Sequence, residues 1–340
     1  MNGLAMGARM PVGFRQGRFE DTTRPNWDGS GPRPLSWAAW YPASNEASER
    51  VFASPATEPW FSIGPAARDA PIGPARHRYP VVLLSHGTGG TVMHLEWLAR
   101  DLAQRGFIAI GVDHHGNTIT EPYRAEGFLC WWERAHDLTL LLDLIDASGA
   151  FAGHVDVNCA FVAGYSLGGA TAAALIGAIS ETSRFQASSS SKDNSGPREF
   201  PGLADHLPGL LESSAIFRQS WARMRDDYRD PRIKAALLMA PGRSVQGFSE
   251  TSLAAIDTPA RIVVGGSDFV RPGAIWLHER LKASTLDPLA AEAGHYVFVP
   301  EATEAGRAAN PDYCIDAPGV DRRSVHQHVA ALAAKLFELG

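Results

Sequence analysis

The sequence predicts an α/β fold: a mostly parallel central sheet with helices on both faces and a helical lid inserted in its second half. Three observations carry this. From residue 80 onward, short fully apolar runs alternate with segments of helical period, the pattern of a parallel sheet covered on both sides. One apolar run ends in GYSLGG at 164–169, a serine between glycines that opens an Ala/Gly-rich helix. Residues 180–232 then interrupt the alternation between two strands.

The elements follow in order. Residues 15–21 and 35–42 read as strands, and the turn cluster NWDGSGPRP between them makes an antiparallel pair. Residues 53–79 are proline-rich and read as irregular chain over the surface. Residues 81–84 form an apolar strand ending in SHGTGG; 94–105 have helical spacing through Leu95, Leu98 and Leu102. Residues 107–112 are a second apolar strand, ending in DHHGNT, and 132–144 a helix with Leu138, Leu141, Leu142 and Ile145 on one side. Strand 159–163 runs into the serine, and helix 167–179 leaves it. Residues 235–239 and 261–264 are strands, and 324–339 a closing helix. The 180–232 insertion contains the low-complexity run ASSSSKDNSGP, then Phe217, Trp221, Met224 and Tyr228 spaced as one helix stripe. That stripe suits a helix packed on the body or a lid over a pocket. The whole, 1–340, reads as a single domain with 180–232 as its lid.

Composition narrows the function. The 340 residues are 45% hydrophobic and 20% charged, ordinary for a globular protein able to bury a large core. A net charge of −6 gives no basic footprint for nucleic acid. No uninterrupted apolar stretch approaches a membrane span, and the N-terminus lacks a charged start followed by an apolar run. The three cysteines, Cys130, Cys159 and Cys314, are widely spaced without CxxC, which argues against a disulfide framework or zinc ribbon. Reduced thiols in a cytoplasmic protein are the expectation. Oligomeric state leaves no mark in the sequence.

The chemistry centres on Ser166. In an α/β sheet the ligand site lies beyond the carboxyl ends of the strands, and GxSxG between strand and helix is the setting of a nucleophile elbow. The glycines are needed because side chains two residues to either side would meet the neighbouring strand and helix. A tetrahedral intermediate requires preorganised donors for its oxyanion. The backbone N–H of Leu167, at a helix N-terminus, supplies one. The N–H of Thr88, in the loop after an earlier strand, supplies the other, with Gly87 and Gly89 as neighbours. Asp268 is the carboxylate that follows a later strand, whereas Asp193, Asp205, Asp226, Asp227 and Asp230 fall in the insertion and Asp257 precedes a strand. His295 is the histidine in a loop after that acid; His278, His326 and His328 lie in helices. The order Ser…Asp…His is that of the α/β-hydrolases. His114 and His115 are adjacent and point apart, poor geometry for one metal ion, and no HExxH accompanies them. His115 and Asn117 are expected at the pocket mouth, with Tyr165, Trp132 and Trp221 as further pocket candidates. No metal and no cofactor are expected.

Taken together, LSHGTGG, GFIAIGVDHHGNT, GYSLGG and the tail GHYVFVPE…YCIDAPGVDRRSVH resemble the predicted dienelactone hydrolases and the relatives of platelet-activating-factor acetylhydrolase. The resemblance runs from about residue 35 to the C-terminus, apart from 180–232. It implies an α/β-hydrolase fold, a Ser–His–Asp triad, no metal, and small-molecule ester, lactone or polyester-like substrates. Dienelactone hydrolases proper use cysteine where this chain has Ser166. In the acetylhydrolases the acid follows the strand after the nucleophile's; here that strand ends MAPGR at 239–243, without a carboxylate, which favours Asp268. The same parts serve amide cleavage or acyl transfer, and a non-catalytic binding relative is the alternative from another class.

Overall fold

The computed structural model describes residues 9–51, 60–74, 78–147, 149–181 and 196–338. Its sheet has nine strands: β1 (Val12–Pro25), β2 (Pro32–Pro42), β3 (Ala67–Arg68), β4 (Tyr79–Ser85), β5 (Ile108–Asp113), β6 (Val155–Tyr165), β7 (Ile233–Met239), β8 (Ala260–Val264) and β9 (Ser284–Pro288). They lie in the order β3-β1-β2-β5-β4-β6-β7-β8-β9. From β5 to β9 every neighbour is parallel, while β1 and β2 form an antiparallel hairpin whose second strand pairs antiparallel with β5.

Both faces are buried, as the unbroken apolar runs require. Successive residues of a strand point to opposite faces. Val81 and Leu83 of β4, with Ala160 and Val162 of β6, enter one core. Val82, Leu84, Phe161 and Ala163 enter the other. The first face is covered by α3 (Glu133–Ala147) and α4 (Leu167–Leu175), the second by α1 (Glu96–Gln104) and α8 (Arg322–Phe337). Leu138, Leu141, Leu142 and Ile145 of α3 are all buried, the stripe expected from their spacing.

The strands read from the sequence are all present, but β3, a two-residue strand inside the segment read as irregular, and β9 were not foreseen; the other differences have local causes. The hairpin strands extend beyond 15–21 and 35–42 because their ladder continues from Val12 opposite Pro42 to Asp21 opposite Arg33. Helix α4 stops at Leu175 rather than 179, with Gly177 at φ +116° in the turn that follows, a conformation that favours glycine. The stripe beginning at Phe217 is helical only over α6 (Ala215–Ala222); Met224 sits in a short 3₁₀ turn and Tyr228 beyond it. Most of the low-complexity run 187–197, and Asp193 within it, fall outside the described residues. Among the described residues no helix is long and apolar enough to cross a membrane, and the three cysteines are unpaired.

Candidate active site

Ser166 stands where β6 turns into α4. Its φ of 54° and ψ of −117° are costly for a residue with a Cβ, on the order of 1–3 kcal/mol. The turn is fixed by the Ser166 N–H donating to the Met239 carbonyl and the Gly242 N–H donating to the Ser166 carbonyl, both at 2.9 Å. A Cβ on Gly164 would lie 1.9 Å from the Gly168 carbonyl oxygen, and one on Gly168 would lie 1.9 Å from that of Ser85. Hydrogen alone fits at either place.

The three distant residues converge. Ser166 Oγ is 3.0 Å from His295 Nε2, and His295 Nδ1 lies 3.0 and 3.1 Å from the two carboxylate oxygens of Asp268. Asp268 also accepts from the Val270 N–H at 2.9 Å, which orients it at the end of β8. His295 is nearly enclosed, packed between the rings of Phe269 and Tyr165, and Tyr165 donates its hydroxyl to the His295 carbonyl at 3.2 Å. Of the other late histidines, His278 bonds Ser284 at 2.8 Å and His326 the Val297 carbonyl at 2.9 Å, while His328 is exposed on the closing helix.

Thr88 and Leu167 line the same cavity as Ser166. Leu167 is the first residue of α4 and its N–H has no intrahelical acceptor. Among the described residues the Thr88 N–H has none either. The Thr88 peptide is held from behind. The His114 N–H donates to His86 Nε2 at 3.1 Å, which leaves the ring proton on Nδ1. Nδ1 donates to the Gly87 carbonyl at 2.7 Å. In a trans peptide the C=O and the next N–H point opposite ways, so this bond turns the Thr88 N–H away from His86. Arg134 donates to the His86 carbonyl at 2.6 Å. Burial, then the Arg134 cation, push His86 well below the usual imidazole range, keeping the ring neutral.

A second relay lies beneath this loop. Ser85 Oγ is 2.9 Å from His114 Nε2, and His114 Nδ1 is 2.8 Å from Asp137. Arg24 pairs with Asp137 and, at 2.8 Å, with Glu133; Arg33 reaches Glu133 at 3.0 Å. All of these side chains are buried, and burial pushes His114 down to about 4. The sequence reading missed this cluster. Its available signal was the set Glu133, Arg134 and Asp137 beside the apolar stripe of α3.

The cavity above Ser166 has a volume of about 660 Å³. Gly87, Asn117 and Tyr165 line it as expected, but four other expected residues do not. Gly89 lies beneath Glu199, whose Cγ comes within 2.8 Å of where a Gly89 Cβ would be. His115 turns outward between Asn26 at 2.8 Å and Glu121 at 2.7 Å. Trp132 is sealed in the core, donating to the Ser220 carbonyl at 3.0 Å, and Trp221 packs on it with ring centroids 5.4 Å apart. The aromatic stripe of α6 therefore anchors the insertion to the body. Residues 196–207 reach the cavity instead, through Arg198, Glu199, Leu203 and Leu207. A more open depression at the β1 edge of the sheet, lined by Arg15, Trp37 and Asp69 among others, holds no nucleophile. Among the described residues no cluster of three or more His, Cys, Asp or Glu could hold a metal ion.

No family model matches the chain. A search of curated proteins finds cutinase est2 of Thermobifida alba, 32% identical over 93 residues, which span 27% of this chain and 28% of the cutinase. Among solved structures, a ferulic acid esterase from Streptomyces cinnamoneus superposes with a TM-score of 0.61 over 98% of this chain and 91% of that one, at 20% identity. Fungal esterases from Rhizomucor miehei give 0.47 at 13% identity, over 96% of this chain and 86% of theirs. The chain has the α/β-hydrolase fold.

Proposed function

We propose that the protein is a serine hydrolase of carboxylic esters that uses no cofactor. Ser166 is its nucleophile, His295 its base and Asp268 its orienting acid. The observation that carries this reading is the unbroken hydrogen-bonded path Ser166–His295–Asp268 opening onto a cavity that also holds two unpaired backbone donors. The names of the cutinase and the ferulic acid esterase point the same way.

His295 removes the Ser166 proton as Oγ attacks the ester carbonyl carbon. Asp268 stabilises the imidazolium and keeps Nδ1 aimed. The carbonyl oxygen becomes an oxyanion, held by the N–H groups of Leu167 and Thr88. Collapse breaks the C–O bond to the alcohol, whose oxygen takes the proton from His295. Water then attacks the acyl-serine with His295 again as base, releasing the acid and restoring Ser166. We read the chain, 1–340, as one hydrolase unit with 180–232 as its lid, and place it in the cytoplasm on its three unpaired thiols.

Initial rates on matched ester and anilide substrates test the reading. The expected result is ester turnover exceeding anilide turnover by at least about 100-fold, and its loss in Ser166→Ala. Faster anilide turnover would make the protein an amidase.

A further inference from the structure

The loop that carries His295 is tied to the body by side chains of two helices that take no part in the triad. A 3₁₀ turn bonds each N–H to the carbonyl three residues back. At the end of the turn His295–Phe298 the Val299 N–H does so, donating to the Tyr296 carbonyl at 3.3 Å. The next donor in that register would be Pro300, which has no N–H. Val297, Phe298 and Val299 are apolar and fully buried, so their carbonyls are out of reach of water and need partners inside the protein.

Side chains supply them. His326 Nε2, on α8, donates to the Val297 carbonyl at 2.9 Å, and Trp97 Nε1, on α1, donates to the Phe298 carbonyl at 2.8 Å. The two donor rings lie face to face, with centroids 4.0 Å apart and planes 6° from parallel. Arg322, one helical turn before His326, donates to the Pro300 carbonyl at 2.9 Å and is held by Asp316 at 2.8 and 2.9 Å. The two halves of the tail pattern thus meet: GHYVFVPE supplies the carbonyls, and DRRSVH two of the donors. Burial keeps the His326 ring neutral, with its value down to about 4, and its one ring proton is committed to Val297.

The imidazole of His295 hangs from the first residue of this turn. Its two nitrogens meet Ser166 and Asp268, each at 3.0 Å, and hydrogen bonds tolerate only a few tenths of an ångström of stretch. A turn displaced by about 1 Å would break one of these contacts, and misplacement on that scale costs about 100-fold in rate. Trp97, Arg322 and His326 do not line the cavity, so they act on the reaction only through the turn.

Resting on the ester-hydrolase reading, we propose that His326, stacked with Trp97, is a positioning residue for the catalytic base: its hydrogen bond to the Val297 carbonyl fixes the turn that aims the His295 imidazole between Ser166 and Asp268.

The test is turnover of p-nitrophenyl butyrate by the full-length protein and its variants. Glutamine at 326 places its amide nitrogen near the Nε2 position and keeps the donor; asparagine is one carbon shorter and loses it. His326→Asn should lower kcat by at least about tenfold with KM changed by less than about threefold, and His326→Gln should retain most of the rate. His328→Gln, exposed on the same helix, should change nothing. In a His295→Ala background His326→Asn should cost no further rate, since no imidazole is left to aim. Thermal melts check folding; should His326→Asn not fold, Trp97→Phe, which keeps a ring against His326 and drops the second donor, carries the same expectation. Equal losses in His326→Asn and His326→Gln, no loss in either, or a further loss on top of His295→Ala would overturn the proposal and leave the esterase reading standing. No ester turnover by the unaltered protein would overturn both.

Discussion

Two sets of serine, histidine and aspartate lie within this molecule, wired alike. Ser166–His295–Asp268 and Ser85–His114–Asp137 each join hydroxyl to Nε2 and carboxylate to Nδ1 at about 3 Å. They differ in what surrounds them. Ser166 sits on a turn at φ 54° and faces a cavity with unpaired donors. Ser85 is fully buried at the end of β4, its relay closed off by Arg24 and Glu133. The connectivity alone does not make a catalytic centre. Access, a presented nucleophile and donors waiting for an oxyanion do. The inner relay steadies the strand end from which the Thr88 loop springs.

Substitutions separate the two. His295→Ala should lower kcat by about 10⁴-fold, whereas His114→Gln should stay within about tenfold in rate. The cost of His114→Gln should appear instead in stability, about 1–3 kcal/mol for a disturbed buried polar set, read by urea unfolding. A rate loss in His114→Gln as deep as that in His295→Ala would erase the distinction.

A finer cut falls on His86, which links the inner relay to the Thr88 peptide. Asparagine places its amide nitrogen near the Nδ1 position and keeps a donor for the Gly87 carbonyl; glutamine reaches only the Nε2 position. His86→Gln is expected to lose about 100-fold in kcat, the scale of one oxyanion donor, with little change in KM. His86→Asn should retain most activity. Equal losses in both would show that His86 acts only as packing.

The last effect is on the pH dependence of folding. Burial depresses His94, His114 and His326 to about 4, and His86 also lies low. As pH falls from about 6.5, the unfolded chain binds these protons first, so stability present above that pH is lost on the way to 4, by up to about 3 kcal/mol per group. Glu96, raised by burial to about 7, works the other way, regaining stability as pH falls from 7 towards 4.5. His136 is lowered as well, Asp113 and Glu199 are raised like Glu96, and the paired carboxylates Glu133 and Asp137 are held low and lose stability on protonation; the groups that destabilise on acidification prevail, so the urea midpoint should be lower at pH 4.5 than at pH 7.5. A midpoint that rises on acidification would contradict the buried, neutral state of these rings.

Much of this was legible in the sequence, for identifiable reasons. The proposed triad could be picked out because each member occupies a position the sheet itself defines: a strand-to-helix turn, a strand end and a following loop. The strands were legible because burial on both faces removes polar residues from them. Three groups of residues were not. Glu133, Arg134 and Asp137 look like a solvated helix face, and only partners distant in sequence make them internal: Arg24 and Arg33 for Glu133, Arg24 and His114 for Asp137, and His86 for Arg134. His115 and Trp132 stand beside the cavity residues Asn117 and Trp131 in sequence, but turn the opposite way. Arg198, Glu199, Tyr296 and Tyr313 share no motif; the insertion and the loops after β9 gather them around the cavity.

The most direct measurement is covalent labelling with a fluorophosphonate followed by peptide mass spectrometry. The account predicts one equivalent of adduct, on the peptide bearing Ser166, and none in Ser166→Ala. Adduct on Ser85 or any other serine, with ester turnover surviving in Ser166→Ala, would contradict it.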